Sequence, residues 1–120
     1  MPEDKVFLTR SLSMNQEPAG ALVGIRGIWL GAIIRMQDEE EIIIGRDAGV
    51  ANLVFAEKTI SRKHCSIVYH GSTGLYTVTD WSMNGTFRGD GSRLSKGRAY
   101  NFPSGAELLI GSAKNVFKLG

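Results

Sequence analysis

An all-β fold is what this sequence predicts: a two-sheet β-sandwich of about ten or eleven short, mostly antiparallel strands, with its binding loops at one end. Three observations carry that expectation. From Ala21 onward, short apolar or alternating runs are cut at regular intervals by Gly, Asn, Asp and Ser, the pattern of evenly spaced strands. The 120 residues contain 15 glycines, which suit many tight turns. No segment sustains a 3.6-residue apolar period, so no long amphipathic helix is expected.

The elements follow in order. Strands are expected at 22–30, 32–36, 41–45, 51–55, 65–70, 75–80, 85–88, 98–102, 106–110 and 115–119. Ile42-Ile43-Ile44 is an unbroken β-branched run, expected to be buried on both faces or to pass through the core. Cys65, Ile67 and Tyr69 fall on one face of their strand, as do Tyr76 and Val78 on the next. Gly71-Ser72-Thr73-Gly74, Asp90-Gly91 and Pro103-Ser104-Gly105 supply turn chemistry. Residues 1–20 read as a separate arm or linker ending in Gln16-Glu17-Pro18-Ala19-Gly20, with one apolar patch at Val6-Phe7-Leu8; residues 21–120 read as the domain.

Composition narrows the function. At 42% hydrophobic and 22% charged, the chain is globular and long enough for one core. The formal net charge is +2, and the aromatics do not interleave with Lys and Arg as in a nucleic-acid groove, so nucleic acid is not an expected partner. One cysteine, Cys65, excludes an internal disulfide and a multi-cysteine zinc site. There is no apolar run of the ~18 residues a membrane span needs. The acidic start MPEDKVFLTR does not read as a secretion signal. The expectation is a cytoplasmic monomer without cofactor, metal or membrane partner.

Polar residues gather in three loops between strands. Gly45-Arg46-Asp47 follows the triple isoleucine, Thr59-Ile60-Ser61-Arg62-Lys63-His64 precedes the Cys65 strand, and Ser82-Met83-Asn84-Gly85-Thr86 follows Asp80. Arg, Ser and Asn all donate hydrogen bonds, and the arginine fork suits phosphate oxygens. The stretch 57–64 adds Lys58, Arg62 and Lys63 against the single acid Glu57. A phosphorylated side chain, with its ≈ −1.5 to −2 charge and three acceptor oxygens, matches such a set.

Gly45-Arg46, then Ser61-Arg62-Lys63-His64, then Asn84-Gly85-Thr86 resembles the G-R … S-x-x-H … N-G-T signature of forkhead-associated (FHA) domains. The resemblance covers about residues 22–119. It implies a module that binds phosphothreonine in an extended peptide, within a Ser/Thr kinase circuit. It implies that Arg46 and Ser61 hold phosphate oxygens and that Asn84 fixes the peptide backbone. Arg62 would add a phosphate or backbone contact, and Thr59 and Lys58 would touch the peptide. Gly45, His64, Gly85 and Thr86 would be architectural, with His64 bracing the serine loop. The chain departs from the family at Met83, where a small hydroxylic residue is common; an apolar Met there would pack on a peptide side chain or the threonine methyl.

Other readings compete. Met83 favours a module that keeps the fold and binds its partner without phosphate. Ser61, His64 and Asp80 supply triad residue types, but no G-x-S-x-G elbow surrounds a serine, so no enzyme is expected. Asn84-Gly85 is also a plain hairpin signal. Cys65 and Trp29 are expected to pack, Trp81 to pack or flank the groove, His70 to lack a partner, and Asp38-Glu39-Glu40-Glu41 to form a solvated turn. Thr9, in the arm, is a candidate for phosphorylation and self-occupancy of the site.

Overall fold

The computed structural model describes residues 19–120, so Thr9 and the Val6-Phe7-Leu8 patch lie outside the described residues. The strands in chain order are β1 (Gly20–Arg26), β2 (Ile33–Met36), β3 (Glu41–Gly45), β4 (Leu53–Val54), β5 (Cys65–His70), β6 (Leu75–Asp80), β7 (Thr86–Arg88), β8 (Ala99–Phe102), β9 (Glu107–Ile110) and β10 (Val116–Leu119). They form two five-stranded sheets, ordered β2-β1-β10-β9-β7 and β4-β3-β5-β6-β8. Every strand pair is antiparallel except the short parallel β3–β4 pair. The two-sheet sandwich expected from the sequence is the observed fold.

Side-chain alternation builds the core. Successive strand residues point to opposite faces, so β6 turns Tyr76, Val78 and Asp80 inward and leaves Leu75, Thr77 and Thr79 half-buried outside. In the β5–β6 register Cys65 faces Asp80, Ile67 faces Val78 and Tyr69 faces Tyr76. The buried residues of the two strands therefore meet as cross-strand pairs. The other sheet answers with Leu22, Leu108, Ile110, Phe117 and Leu119, all buried. Phe55 joins the layers, edge-on to Phe117 at 6.3 Å and to Trp29 at 6.5 Å. Burying each such side chain contributes about 1.5–3 kcal/mol.

Four sequence expectations need revision. Ile42 and Ile44 are buried but Ile43 is only half-buried, so the triple isoleucine is an ordinary alternating strand. The expected 22–30 strand ends at Arg26. Residues 27–32 fold back on it, with Gly24 N donating to Ala32 O (2.9 Å) and Gly31 N to Gly24 O (2.8 Å); this carries Trp29 onto Phe55. The expected 51–55 strand shrinks to Leu53–Val54. There the Asn52 side chain stands in for a ladder partner, its Oδ1 accepting from Ile43 N at 2.8 Å. Finally, His70 has partners: Glu39 Oε2 at 2.7 Å and Thr77 Oγ1 at 2.7 Å. The acidic run is exposed, with its turn at Asp38 and Glu39 and Glu41 already in β3; Asp38 also accepts from Gly71 N (2.7 Å).

Strand order then sets the loops. Ile44 pairs with Cys65, and Cys65 with Asp80. The end of β3, the start of β5 and the end of β6 are thus neighbours in one sheet, and all three polar loops leave from the same end of the sandwich.

Candidate ligand-binding site

The loops are tied to one another by hydrogen bonds. Arg46 N donates to Ser61 O (3.0 Å) and Asp47 N to Arg62 O (3.3 Å), joining the first loop to the second. Met83 N donates to Ser61 Oγ (3.0 Å) and Asn84 Nδ2 to Thr59 O (2.8 Å), joining the third to the second. Ile60, fully buried, plugs the second loop into the core from below.

Two glycines make these approaches possible. A Cβ at Gly45 would sit 2.0 Å from the carbonyl oxygen of Arg62, which any side chain would push away. Gly85 has φ +104°, and a Cβ there would meet the Phe87 ring at 2.8 Å and Arg93 Nε at 2.9 Å. Only glycine takes that backbone conformation without strain.

His64 is the brace between the second and third loops. Its Nδ1 lies 3.1 Å from Ser61 N. A backbone N–H can only donate, so Nδ1 must be unprotonated and the ring proton sits on Nε2. Nε2 then donates to Gly85 O at 2.8 Å. The ring is fully buried, and burial holds its pKa below the ordinary 6.5, with the Gly85 bond pulling the other way by less. Both ring nitrogens are thereby committed to backbone. The ring does not bond the Ser61 hydroxyl, so Ser61, His64 and Asp80 do not assemble as a catalytic relay.

Asp80 instead organises the third loop from beneath. Its Oδ1 accepts from Ser82 N (3.1 Å), Ser82 Oγ (2.6 Å) and Thr86 Oγ1 (2.9 Å), and Ser82 Oγ in turn accepts from Gly85 N (2.7 Å). Asp80, Ser82 and Thr86 are fully buried. All three donors fall on Oδ1, while Oδ2 is buried with no hydrogen-bond partner among the described residues; the bonds to Oδ1 offset part of the cost of burying the group under the turn. Cys65, beside Thr86, is inert: burial pushes its thiol pKa up to about 12.

The sequence-expected residues divide by what they leave free. Arg46 is exposed and, among the described residues, ties only its Nε, to Ile60 O at 2.9 Å; toward those residues its two terminal nitrogens remain as a fork of donors. The Ser61 hydroxyl accepts from Met83 N, which leaves its own proton to be donated outward. Asn84 donates one amide N–H to Thr59 O and keeps Oδ1 and a second N–H, the complementary pair a peptide group needs. Thr59, Lys58 and Arg62 are exposed on the same loop. Met83 is 78% exposed, with its N–H committed to Ser61. Trp81 turns outward beside the cluster, its ring 4.9 Å from Lys63 Nζ and its Nε1 donating to Ser66 Oγ (3.2 Å).

Sequence reasoning missed the supporting roles of Asp80 and Ser82, and it missed Arg93 altogether. The Asp80-x-Ser82 spacing carried a usable signal, because Asp commonly bonds backbone two residues on. Arg93 carried none. It arrives by a bridge to Phe87 and donates Nη2 to Met83 O at 3.1 Å.

The field at this end is positive. Arg46, Lys58, Arg62, Lys63 and Arg93 outnumber the acids at this end, Asp47, Glu57 and the buried Asp80. Such a surface can receive an anion with several acceptor oxygens.

Comparison with known proteins gives a concordant picture. The family model for the FHA domain matches residues 42–111, more than half of the chain. A probable serine/threonine-protein kinase, fhkC of Dictyostelium discoideum, is 28% identical over 95% of this chain, which spans only 21% of that kinase. The solution structure of the FHA domain of an Arabidopsis thaliana hypothetical protein superposes with a TM-score of 0.74 at 22% identity, covering 86% of this chain and 85% of that one. The N-terminal FHA domain of Rad53p from S. cerevisiae, in complex with a phosphothreonine peptide, superposes at 0.68 with 17% identity, covering 84% and 91%.

Proposed function

The chain belongs to the FHA domain family, and on that premise we propose that its three loops bind a phosphothreonine-containing peptide, docking a partner that a Ser/Thr kinase has phosphorylated. Domains of this family are interaction modules rather than enzymes, so the site is a receptor for a modified side chain.

One observation carries the reading. Among the described residues, the Arg46 terminal nitrogens and the Ser61 hydroxyl proton are left unspent in loops that are held together by hydrogen bonds through Ser61, His64, Met83 and Asn84. Their geometry is held by the loops before any ligand arrives, so less ordering is lost on binding. Arg46 forks onto phosphate oxygens, Ser61 donates to another, and the Asn84 amide pairs with the peptide backbone. Arg62, Lys58 and Thr59 line the approach. Met83 lends an apolar side chain in place of a hydroxyl. The Rad53p complex and the kinase relative support the ligand class and the signalling setting. Among the described residues, no helix is long and apolar enough to cross a membrane.

The test is peptide binding with Thr, phosphoserine and phosphothreonine versions of one sequence. The phosphothreonine peptide should bind well above the other two, and Arg46→Ala should cost about 1.5–3 kcal/mol, the worth of a charged hydrogen bond. Equal binding of all three would overturn the proposal in favour of a phosphate-independent module.

A further inference from the structure

We infer that the open edge of β2 is a docking site for the chain's own N-terminal arm, whose Val6-Phe7-Leu8-Thr9 run adds to it as a further strand, parallel to β2.

β2 ends its sheet and pairs with β1 on one side only. The other three sheet ends are blunted, as native edges generally are. β4 is two residues long, and Arg93 bridges to Phe87 alongside β7. The guanidiniums of Arg88 and Arg98 lie over Tyr100 of β8, 4.9 and 5.5 Å from its ring centroid. β2 instead presents Ile33, 65% exposed, and the loop leading into it presents Ile28 and Leu30, each 69% exposed. The exposed apolar surface of the described residues is thus concentrated at this edge.

The register shows which backbone groups the edge offers. Gly24 N donates to Ala32 O, and hydrogen-bonded pairs alternate with unbonded ones along an antiparallel ladder. Leu22 opposite Ile34 and Gly20 opposite Met36 are therefore the bonded pairs, and Val23 opposite Ile33 and Ala21 opposite Arg35 the unbonded ones. Ile33 and Arg35 accordingly turn their N–H and C=O groups away from β1, toward the open edge. An incoming strand finds two donors and two acceptors there, beside the Ile33 side chain.

The arm fits by composition, reach and charge. Val6, Phe7 and Thr9 are residues that favour strands. Gly20, where the chain enters β1, lies opposite the last residue of β2, so the strand beyond β2 would stand two spacings from it, ~10 Å. The segment from Leu8 to Gly20 reaches up to ~40 Å. Charge sets the direction. β2 runs into the exposed acids Asp38, Glu39, Glu40 and Glu41. In the arm, Glu3-Asp4 precedes the apolar run and Arg10 follows it. A parallel strand brings Arg10 to those acids; an antiparallel one would bring Glu3 and Asp4 against them, which like-charge repulsion disfavours.

The experiment is amide hydrogen exchange, read residue by residue by NMR, on the full chain and on two full-length arm variants, Phe7→Asp and Leu8→Pro. In the wild type the Ile33 and Arg35 amides should exchange at least about tenfold more slowly than in either variant. The Ile34 and Met36 amides, bonded to β1, should be equally protected in all three. Fast exchange of Ile33 and Arg35 in the wild type, or protection that survives both variants, would overturn the inference. Protection that disappears on tenfold dilution would overturn it too, because a second copy of the chain would then be the occupant.

Discussion

The chain has two histidines, and they stand at opposite ends of β5. His64, just before the strand, is fully buried, and both its nitrogens are committed to backbone groups of two different loops. His70, at the last position of the strand, is partly exposed and meets two side chains, the Glu39 carboxylate and the Thr77 hydroxyl. The same side chain is thus a fixed strut at the end that carries the three polar loops and a surface partner at the other. The difference lies in what replaces water. At the loop end both ring nitrogens bond backbone groups, and losing the ring leaves a buried donor and acceptor unpaired, at about 1–3 kcal/mol each. At the opposite end solvent can take over, and an exposed side-chain pair of this kind contributes about 0–1 kcal/mol.

Substitutions should expose that asymmetry. His64→Ala strands Ser61 N–H and opens a cavity, so it should lower unfolding stability by about 2–4 kcal/mol in urea denaturation, and it should weaken phosphopeptide binding because the Ser61 and Gly85 loops lose their brace. A loss below about 1 kcal/mol would break the comparison. The next effect is pH. The folded pKa of His64 lies below 6.5 because of burial, so between the two values the unfolded chain binds a proton that the folded chain does not. Stability then rises with pH across that window: it is lost as pH falls below about 6.5, and the penalty is complete below the folded pKa. Melting temperature should fall from pH 7.5 to 5, and fall less in a His64→Asn variant. The smallest effect is expected from His70→Gln, within ~1 kcal/mol, with phosphopeptide affinity unchanged. A larger cost there would show that the Glu39–His70–Thr77 chain carries more of the fold than its exposure implies.

The sequence by itself determined the sandwich and the three loops. Period-two alternation, as in Tyr76, Val78 and Asp80, follows from strand geometry and is written locally; so are the turn residues and the Gly45-Arg46, Ser61 and Asn84 motifs. Where local signals ran on, they misled: the apolar run through Trp29 hid the fold-back that carries Trp29 onto Phe55, and nothing local announced Glu39 as the partner of His70. Tertiary structure alone decided which donors are spent and which remain. That Ser61 Oγ accepts from Met83 and that Asn84 donates to Thr59 depend on strand order bringing distant loops together. Hydrogen bonds are short-ranged and directional, so sequence spacing identifies the groups a loop carries, while their free valences are settled only by the neighbours that folding places beside them.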